Sequence, residues 1–254
     1  MIDSHTHLYW EKFDQDRDQV MERARSAGVE GFIVVGIDIE TCGKALEMAR
    51  GDDSIYATAG FHPNNLTGIT EDDWQALDGF LQEDSVIAVG ETGLDYYWDD
   101  TTPAQQKDAL SRHFELARKH DLPLIIHTRD SIADFLETLG QEAPGLRGVM
   151  HCFSGDAEQM EETIRLGFDI SFAGPLTYKK SNDLRAACVA VPEDRFHIET
   201  DCPFLPPQSR RGKRNEPALV REVAEKVAEL RGWTLAETMQ KTAANTRRLF
   251  NLPA

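Results

Sequence analysis

The chain has 254 residues, of which 41% are hydrophobic and 28% charged, values that suit one large globular α/β domain. No apolar run approaches the roughly 20 residues of a membrane span, and the first residues lack the basic and apolar regions of a signal peptide. The net charge of -17 excludes a protein that coats nucleic acid through a general basic surface, although a nucleic-acid enzyme remains compatible with it. We therefore expect a cytoplasmic protein with no membrane contact and no obligate protein partner.

Short apolar runs alternate with amphipathic segments along the whole chain. Strands are predicted over 2–7, 31–35, 55–61, 86–91, 122–127, 148–153, 168–173 and 195–200. Helices are predicted over 14–27, 39–50, 71–82, 102–119, 131–139, 158–166 and 181–189, with a last one starting near 217. The pair Thr102-Pro103 is a strong helix start, because proline is favoured directly after an N-cap.

Eight βα units with largely apolar strands predict a parallel sheet closed into a (β/α)8 TIM barrel, as a single domain over residues 1–254. An open, doubly wound sheet is the alternative fold, but no glycine-rich phosphate loop follows the first strand. The tail from Thr234 to Phe250 begins with a capping-box pattern, Thr234 to Glu237, and predicts an extra C-terminal helix.

Metal-binding side chains recur where the predicted strands end. His5 and His7 are two residues apart in the first strand, so both point to the same face and can bind one ion together. Barrel enzymes carry their chemistry at the carboxyl ends of the strands. Seven candidate ligands stand at or just after such ends: His5, His7, His62, Glu91, His127, His151 and Asp201. Their recurrence predicts a metal centre.

One basic run, from Arg210 to Arg214, stands out in this acidic chain. It follows the eighth strand, so we expect it on the barrel face that carries the metal ligands. We predict that Arg211, Lys213 and Arg214 contact substrate phosphates, with a solvated loop as the alternative.

Six motifs occur in order across the chain and together resemble the TatD family of metal-dependent deoxyribonucleases, TIM barrels related to the amidohydrolases. They are Asp3-Ser4-His5-Thr6-His7, Gly60-Phe61-His62-Pro63, Gly90-Glu91-Thr92-Gly93-Leu94-Asp95-Tyr96, His127-Thr128-Arg129-Asp130, His151-Cys152-Phe153-Ser154-Gly155 and Glu199-Thr200-Asp201-Cys202-Pro203. The resemblance implies a fold, a donor set and an activity for essentially the whole chain.

The resemblance assigns roles residue by residue. It implies one metal site of His5, His7, Glu91 and Asp201, and a second of Glu91, His127 and His151, so that Glu91 bridges the ions. His62 matches a residue near the substrate phosphate. The sequence departs from many relatives at Tyr9, where they have Asp or Asn, and at Cys202, where Ser or Ala is usual. Neither residue is expected to touch a ligand.

Imidazole and carboxylate ligands suit Zn²⁺, Mn²⁺ or Mg²⁺, and ligand type alone does not choose among them. Two such ions can activate water and stabilise a phosphodiester under attack. We expect two divalent ions, Mg²⁺ or Mn²⁺ first and Zn²⁺ as a further candidate, with Asp201, Glu91 and His62 as the catalytic residues and Asp201 as proton acceptor.

The favoured activity is a metal-dependent deoxyribonuclease, an exonuclease on single-stranded or frayed ends of DNA. The alternative enzyme is a D-aminoacyl-tRNA deacylase or another amidohydrolase-type hydrolase on the same scaffold. Many amidohydrolases carry a bridging carboxylated lysine on strand four, where this chain has Glu91, which favours the nuclease. A non-enzymatic metal-binding protein is the third reading, and it would not need His62 and Asp201.

Overall fold

The structure is a computed structural model that describes residues 1–253. Its strands are β1 (Ile2–Thr6), β2 (Gly31–Val35), β3 (Ile55–Ala59), β4 (Val86–Asp95), β5 (Leu124–Arg129), β6 (Gly148–Met150), β7 (Phe168–Phe172) and β8 (Phe196–Ile198). Its α-helices are α1 (Arg17–Ser26), α2 (Ile39–Gly51), α3 (Glu71–Phe80), α4 (Pro103–His120), α5 (Ile132–Glu142), α6 (Ala157–Arg165), α7 (Asn182–Ala190), α8 (Val220–Arg231) and α9 (Leu235–Phe250).

The strands form one eight-stranded sheet in sequence order, β1 to β8, and a helix follows each strand. This is the topology of a (β/α)8 barrel. The predicted fold class is confirmed, including α9 as the extra C-terminal helix. The chain divides into two compact units, so the single domain over residues 1–254 stays a prediction.

Unit 1 comprises residues 1–34 and 152–161 and the chain from Ile170 onward. In it β1 pairs in parallel with β2, and β7 with β8. Helix α9 packs against β8: the Asn245 side chain donates to the carbonyl of Phe196 at 2.8 Å, and Thr246 contacts His197 at 3.0 Å. These buried hydrogen bonds fix the short last strand directly before Asp201.

Unit 2 comprises residues 35–151 and 162–169. Its strands β3, β4, β5 and β6 pair in parallel in that order. Strand β4 continues to Asp95, past the predicted end at Glu91, and the register against β5 shifts between Val89 and Thr92. Glu91 therefore lies at an irregularity inside a long strand rather than at its end.

Strands β3, β6 and β8 end two or three residues earlier than predicted, and the backbone turns directly after β6 and β8. Strand β6 stops at Met150 and β8 at Ile198, and Cys152 and Asp201 then adopt positive φ values of 43° and 56°. Strand β5 begins two residues later than predicted, at Leu124, since Pro123 has no N–H to give to the sheet.

The helices begin where their capping residues predict. Thr102 and Thr234 each accept a hydrogen bond from the backbone N–H three residues later, at 3.3 and 3.2 Å, and both form complete capping boxes. Helix α1 is shorter than predicted, and a separate 3-10 turn over Glu11–Phe13 precedes it. Within residues 1–253, none of the helices combines the length and apolar character needed to cross a membrane.

Candidate metal centre

Unit 1 brings three predicted ligands together as triad A: His5, His7 and Asp201. His5 Nε2 lies 3.3 Å from His7 Nε2, and Asp201 Oδ1 lies 3.4 Å from the same His7 atom and 3.8 Å from His5 Nε2. All three residues are buried. His5 lies in β1 and His7 directly follows it, and both point to one face, as their spacing predicts. Asp201 comes from the turn after β8.

Unit 2 brings three others together as triad B: Glu91, His127 and His151. Glu91 Oε1 lies 3.1 Å from His127 Nδ1 and 2.9 Å from His151 Nε2, and these two nitrogens are 3.2 Å apart. Strand β4 supplies the carboxylate, β5 supplies His127, and His151 directly follows β6.

Both triads fit a bound divalent cation. Ligand atoms about 2.0–2.2 Å from a shared ion are about 2.8–3.6 Å apart at neighbouring tetrahedral or octahedral positions. Triad B, at 2.9–3.2 Å, lies within this range, and in triad A only the 3.8 Å separation of Asp201 from His5 exceeds it. Each triad combines imidazole nitrogens with a carboxylate, a mixed donor set that divalent cations take. The donor set therefore suits the predicted ions.

A tyrosine hydroxyl contacts triad A on the side away from the other ligands. The Tyr9 hydroxyl lies 2.9 Å from His7 Nδ1, the ring nitrogen that faces away from the other ligands. The expectation that Tyr9 touches no ligand was wrong: the turn after β1 folds its side chain back against the histidine. Cys202 is buried, and its carbonyl accepts the His7 N–H at 2.9 Å.

A buried network holds the turn that carries Asp201. The Asp3 carboxylate accepts from the N–H and the hydroxyl of Thr200, at 2.8 and 2.6 Å. Asn215 donates to the Thr200 carbonyl at 2.8 Å. Burial raises the pKa of Asp3 well above its usual value, although the hydrogen bonds from Thr200 oppose that shift. Asp3 and Asn215 thus position Asp201 through its neighbour, a role that the sequence analysis did not assign.

A carboxylate contacts the outer ring nitrogen of a histidine in triad B, and the sequence analysis did not assign it a role. Asp95 Oδ2 lies 3.1 Å from His127 Nε2 and accepts from the Asn64 side chain at 3.0 Å. Burial opposes ionisation of Asp95, but the hydrogen bond and charge of His127, together with the hydrogen bonds from Asn64 and Tyr97, outweigh it and lower the pKa of Asp95 to about 2. One signal was available: Asp95 shares the strand face of Glu91, four residues on.

The same contacts act on His127. Burial opposes its protonation, yet hydrogen bonds to Asp95 and Glu91 raise the pKa of His127 above its usual value. The two carboxylates place negative charge at both ring nitrogens of His127. A cation bound by triad B would offset that charge.

His62 lies beside triad B but makes a different set of contacts. Its Nε2 is 3.8 Å from Glu91 Oε1, and its ring centroid is 4.5 Å from that of His127. Its Nδ1 accepts the N–H of Asn64 at 3.1 Å. Burial and the nearby His127 lower the pKa of His62 to about 3, so the ring is neutral at pH 7 with its proton on Nε2.

Two glycines leave the room that triad B requires. Gly90 has a φ of 144°, and a Cβ there would lie 2.5 Å from the carbonyl oxygen of Ile125. Gly93 has the same φ and stands opposite His127 in the sheet register. Side chains at either position would force β4 away from β5, and Glu91 away from His127.

The cations of the basic run differ in their partners and in their exposure. Arg214 pairs with both oxygens of Asp16 at 2.7 Å and also donates to the Lys12 carbonyl at 2.6 Å. Its guanidinium therefore has partners that the sequence analysis did not foresee, and its contact with substrate stays a prediction. Arg211 is exposed and lies over the Tyr178 ring at 4.3 Å, and Lys213 is exposed. These two cations are accessible to an anion.

Comparisons with known proteins cover nearly the whole chain. The family described as TatD related DNase matches residues 2–251. A Bacillus subtilis (strain 168) protein named "Uncharacterized metal-dependent hydrolase YabD" is 42% identical over 253 residues, covering 99% of this chain and 99% of its own. A Cronobacter sakazakii protein named "3'-5' ssDNA/RNA exonuclease TatD" is 34% identical, covering 98% of this chain and 97% of its own. The crystal structure of YJJV, a TatD homologue from Escherichia coli K12, superimposes with a TM-score of 0.94 at 32% identity, covering 100% of this chain and 98% of its own.

Proposed function

The chain belongs to the family of TatD related DNases and is a metal-dependent hydrolase, and from that premise we propose that it hydrolyses phosphodiester bonds of single-stranded DNA from a strand end. The observation that carries the proposal is the pair of ligand triads with the spacing of cation sites. The activity in the name of the Cronobacter relative extends the proposal to RNA and favours digestion from the 3′ end.

Two divalent ions are part of the proposal. Triad A would hold one and triad B the other, with Mg²⁺ or Mn²⁺ expected and Zn²⁺ as a further candidate. Bound ions would supply Lewis-acid stabilisation of the phosphate and would make water easier to deprotonate near neutral pH. The bridging role of Glu91 comes from the family resemblance and stays a prediction.

Asp201 is the proposed proton acceptor for the attacking water. Its carboxylate is buried, and the Asp3–Thr200 hydrogen bonds hold its backbone, so it can take a proton without a change of geometry. Its Oδ1 lies 3.4 Å from His7 Nε2 and 3.8 Å from His5 Nε2, which places the carboxylate at triad A, where it would accept the proton.

His62 is proposed to orient the phosphate as a neutral donor. The hydrogen bond from Asn64 to Nδ1 keeps the proton on Nε2, the atom that faces triad B. A neutral N–H can donate to a phosphate oxygen without binding it as tightly as a cation would, which suits a group that must release product.

Arg211 and Lys213 are the proposed contacts for phosphates away from the reacting bond. Both are exposed, and such contacts position a strand without reading its bases, so digestion should be largely indifferent to sequence.

One assay tests the proposal. The purified protein is given 5′- and 3′-labelled single strands, duplex DNA, RNA and an aminoacyl-tRNA in parallel, each with Mg²⁺, Mn²⁺ or Zn²⁺ and with excess EDTA. We expect shortening of single strands that depends on metal and stops in EDTA. Full activity in EDTA would overturn the metal requirement, and deacylation without strand cleavage would transfer the site to the alternative hydrolase.

A further inference from the structure

Tyr97 and Trp98 form an exposed aromatic pair in unit 2. They are 55% and 51% exposed, and their ring centroids lie 4.9 Å apart at 86°. Among residues 1–253 they are the only aromatic side chains in the group of strongly exposed large hydrophobics. Two adjacent rings held in water have a free apolar face, which the packing of unit 2 does not use.

The pair is connected to the metal ligands by hydrogen bonds. Asp95 accepts the N–H groups of Tyr97 and Trp98 on Oδ1, at 3.0 and 3.4 Å, while its Oδ2 contacts His127. One carboxylate therefore joins the backbone of the aromatic pair to a ligand of triad B. The backbone that carries both rings is therefore held next to triad B.

Arg129 completes the surface. It stands opposite Asp95 in the β4–β5 register, two residues after His127, and its guanidinium carbon lies 3.7 Å from the Tyr97 ring centroid and 5.8 Å from that of Trp98. Within the described chain its charge has no carboxylate partner, so it is available to a phosphate. Since the guanidinium covers one face of Tyr97, the indole of Trp98 is the freer ring.

Asp99, Asp100 and Asp130 are exposed neighbours in the sequence. Their charges disfavour a run of phosphates across this surface. An uncharged, flat group with a single phosphate attached is the ligand that the surface suits.

Building on the proposed function, we infer that Trp98 stacks an unpaired nucleobase of the substrate strand while Arg129 contacts the phosphate of the same nucleotide. Tyr97, held between Arg129 and Trp98, positions the indole. Every base has a π face, so the site tolerates any base, but the base must be unpaired to be stacked. The aromatic pair would therefore select single strands over duplex.

The test measures binding of two labelled single strands by fluorescence anisotropy in Ca²⁺, used as a non-hydrolysing ion. One is a short oligothymidylate and the other has the same backbone with abasic residues. Trp98→Ala should weaken binding of the oligothymidylate about 5- to 140-fold, the range that one stacked base contributes. Its affinity for the abasic strand should stay at the wild-type level, because that strand has no base to stack.

Two further variants serve as controls. Trp98→Phe should keep most of the affinity, since a smaller ring still stacks. Val189→Ala changes a side chain of similar exposure in unit 1, 52%, and should bind both strands as the wild type does. Thermal melting checks that each variant is folded.

The outcomes separate the inference from the proposed function. Equal losses of affinity for both strands would mean that Trp98 contacts the DNA backbone or supports the fold. No loss of affinity would mean that the aromatic pair does not stack a nucleobase. Either result overturns the inference alone, provided the wild type binds and cuts the oligothymidylate. A wild type that neither binds nor cuts any nucleic acid would overturn the proposed function as well.

Discussion

The two triads have the same types of ligand, but different groups contact the outer ring nitrogens of their histidines. In triad A the outer nitrogen of His7 faces the neutral hydroxyl of Tyr9. In triad B the outer nitrogen of His127 faces the carboxylate of Asp95, which Asn64 and two backbone N–H groups hold in turn. A carboxylate makes the imidazole a more basic ligand than a phenol does. We therefore expect triad B to hold its ion more tightly than triad A.

Removal of Glu91 should have the largest effect. Glu91→Ala takes the only carboxylate out of triad B, and the predicted bridging role adds the loss of the ion at triad A. We expect activity below detection and loss of both ions in metal analysis by mass spectrometry. His127→Ala should chiefly lose the ion of triad B, so the same metal loss in both variants would argue against bridging.

Asp201→Asn tests the chemistry of triad A apart from metal binding. The amide keeps an oxygen of nearly the same shape but cannot accept the proton, so turnover should fall by about 10²–10⁴ with little change in substrate affinity. Single-turnover kinetics and metal content measure both. His62→Ala should be milder, since His62 orients the phosphate, and near-normal turnover of Asp201→Asn with its metals bound would remove Asp201 from the mechanism.

The effects of Asp95 and Tyr9 on metal affinity can be compared directly. Asp95→Asn should weaken metal binding at triad B by about 10- to 100-fold, because such outer partners tune ligand basicity. Tyr9→Phe removes a neutral partner and should cost triad A less. Titration of the metal-free variants with Mn²⁺ gives both affinities, and a larger loss for Tyr9→Phe would reverse the comparison.

The cations of unit 1 should act on substrate binding at longer range. Arg211→Ala combined with Lys213→Ala removes two accessible phosphate contacts, and each contributes about 0.7 to the slope of log affinity against log salt for single strands. The slope should flatten by roughly 1.4 when DNA binding in Ca²⁺ is titrated with salt. Arg214→Ala is measured beside it: because its guanidinium is paired with Asp16, it should flatten the slope less, and an unchanged slope in the double variant would make the run a solvated loop.

The Asp16–Arg214 pair should give the smallest effect, on stability alone. The hydrogen bond from Arg214 lowers the pKa of Asp16 from 3.8 to about 2. The pair therefore stabilises the fold above about pH 4, and this contribution is lost as the pH falls through about 2. Because Asp16 is a third exposed, Asp16→Asn should cost about 1 kcal/mol at pH 7.

Urea unfolding at pH 7 and at successively lower pH checks this sign. The difference between wild type and Asp16→Asn should shrink as acid protonates Asp16. Asp14→Asn, at a more exposed pair with Arg17, should be close to neutral throughout. A difference that grows on acidification would contradict the pairing.

The sequence by itself determined the order of elements, the helix caps and the ligand types. Alternating apolar runs, Thr102 and Thr234 at helix starts, and histidines at strand ends are local signals, and each depends on residues within a few positions of one another. That is why the eight strands could be predicted to within a few residues and the candidate ligands could be named, whereas their grouping into two sites came from the family resemblance.

The tertiary structure decided which groups stand behind those ligands. Asp95 reaches His127 because β4 runs four residues past its predicted end, and Tyr9 reaches His7 because the turn after β1 folds back. Arg214 is bound because Asp16, far away in sequence, lies beside it. Such pairings depend on strand length, turn direction and long-range packing, which cannot be read from the residue types alone.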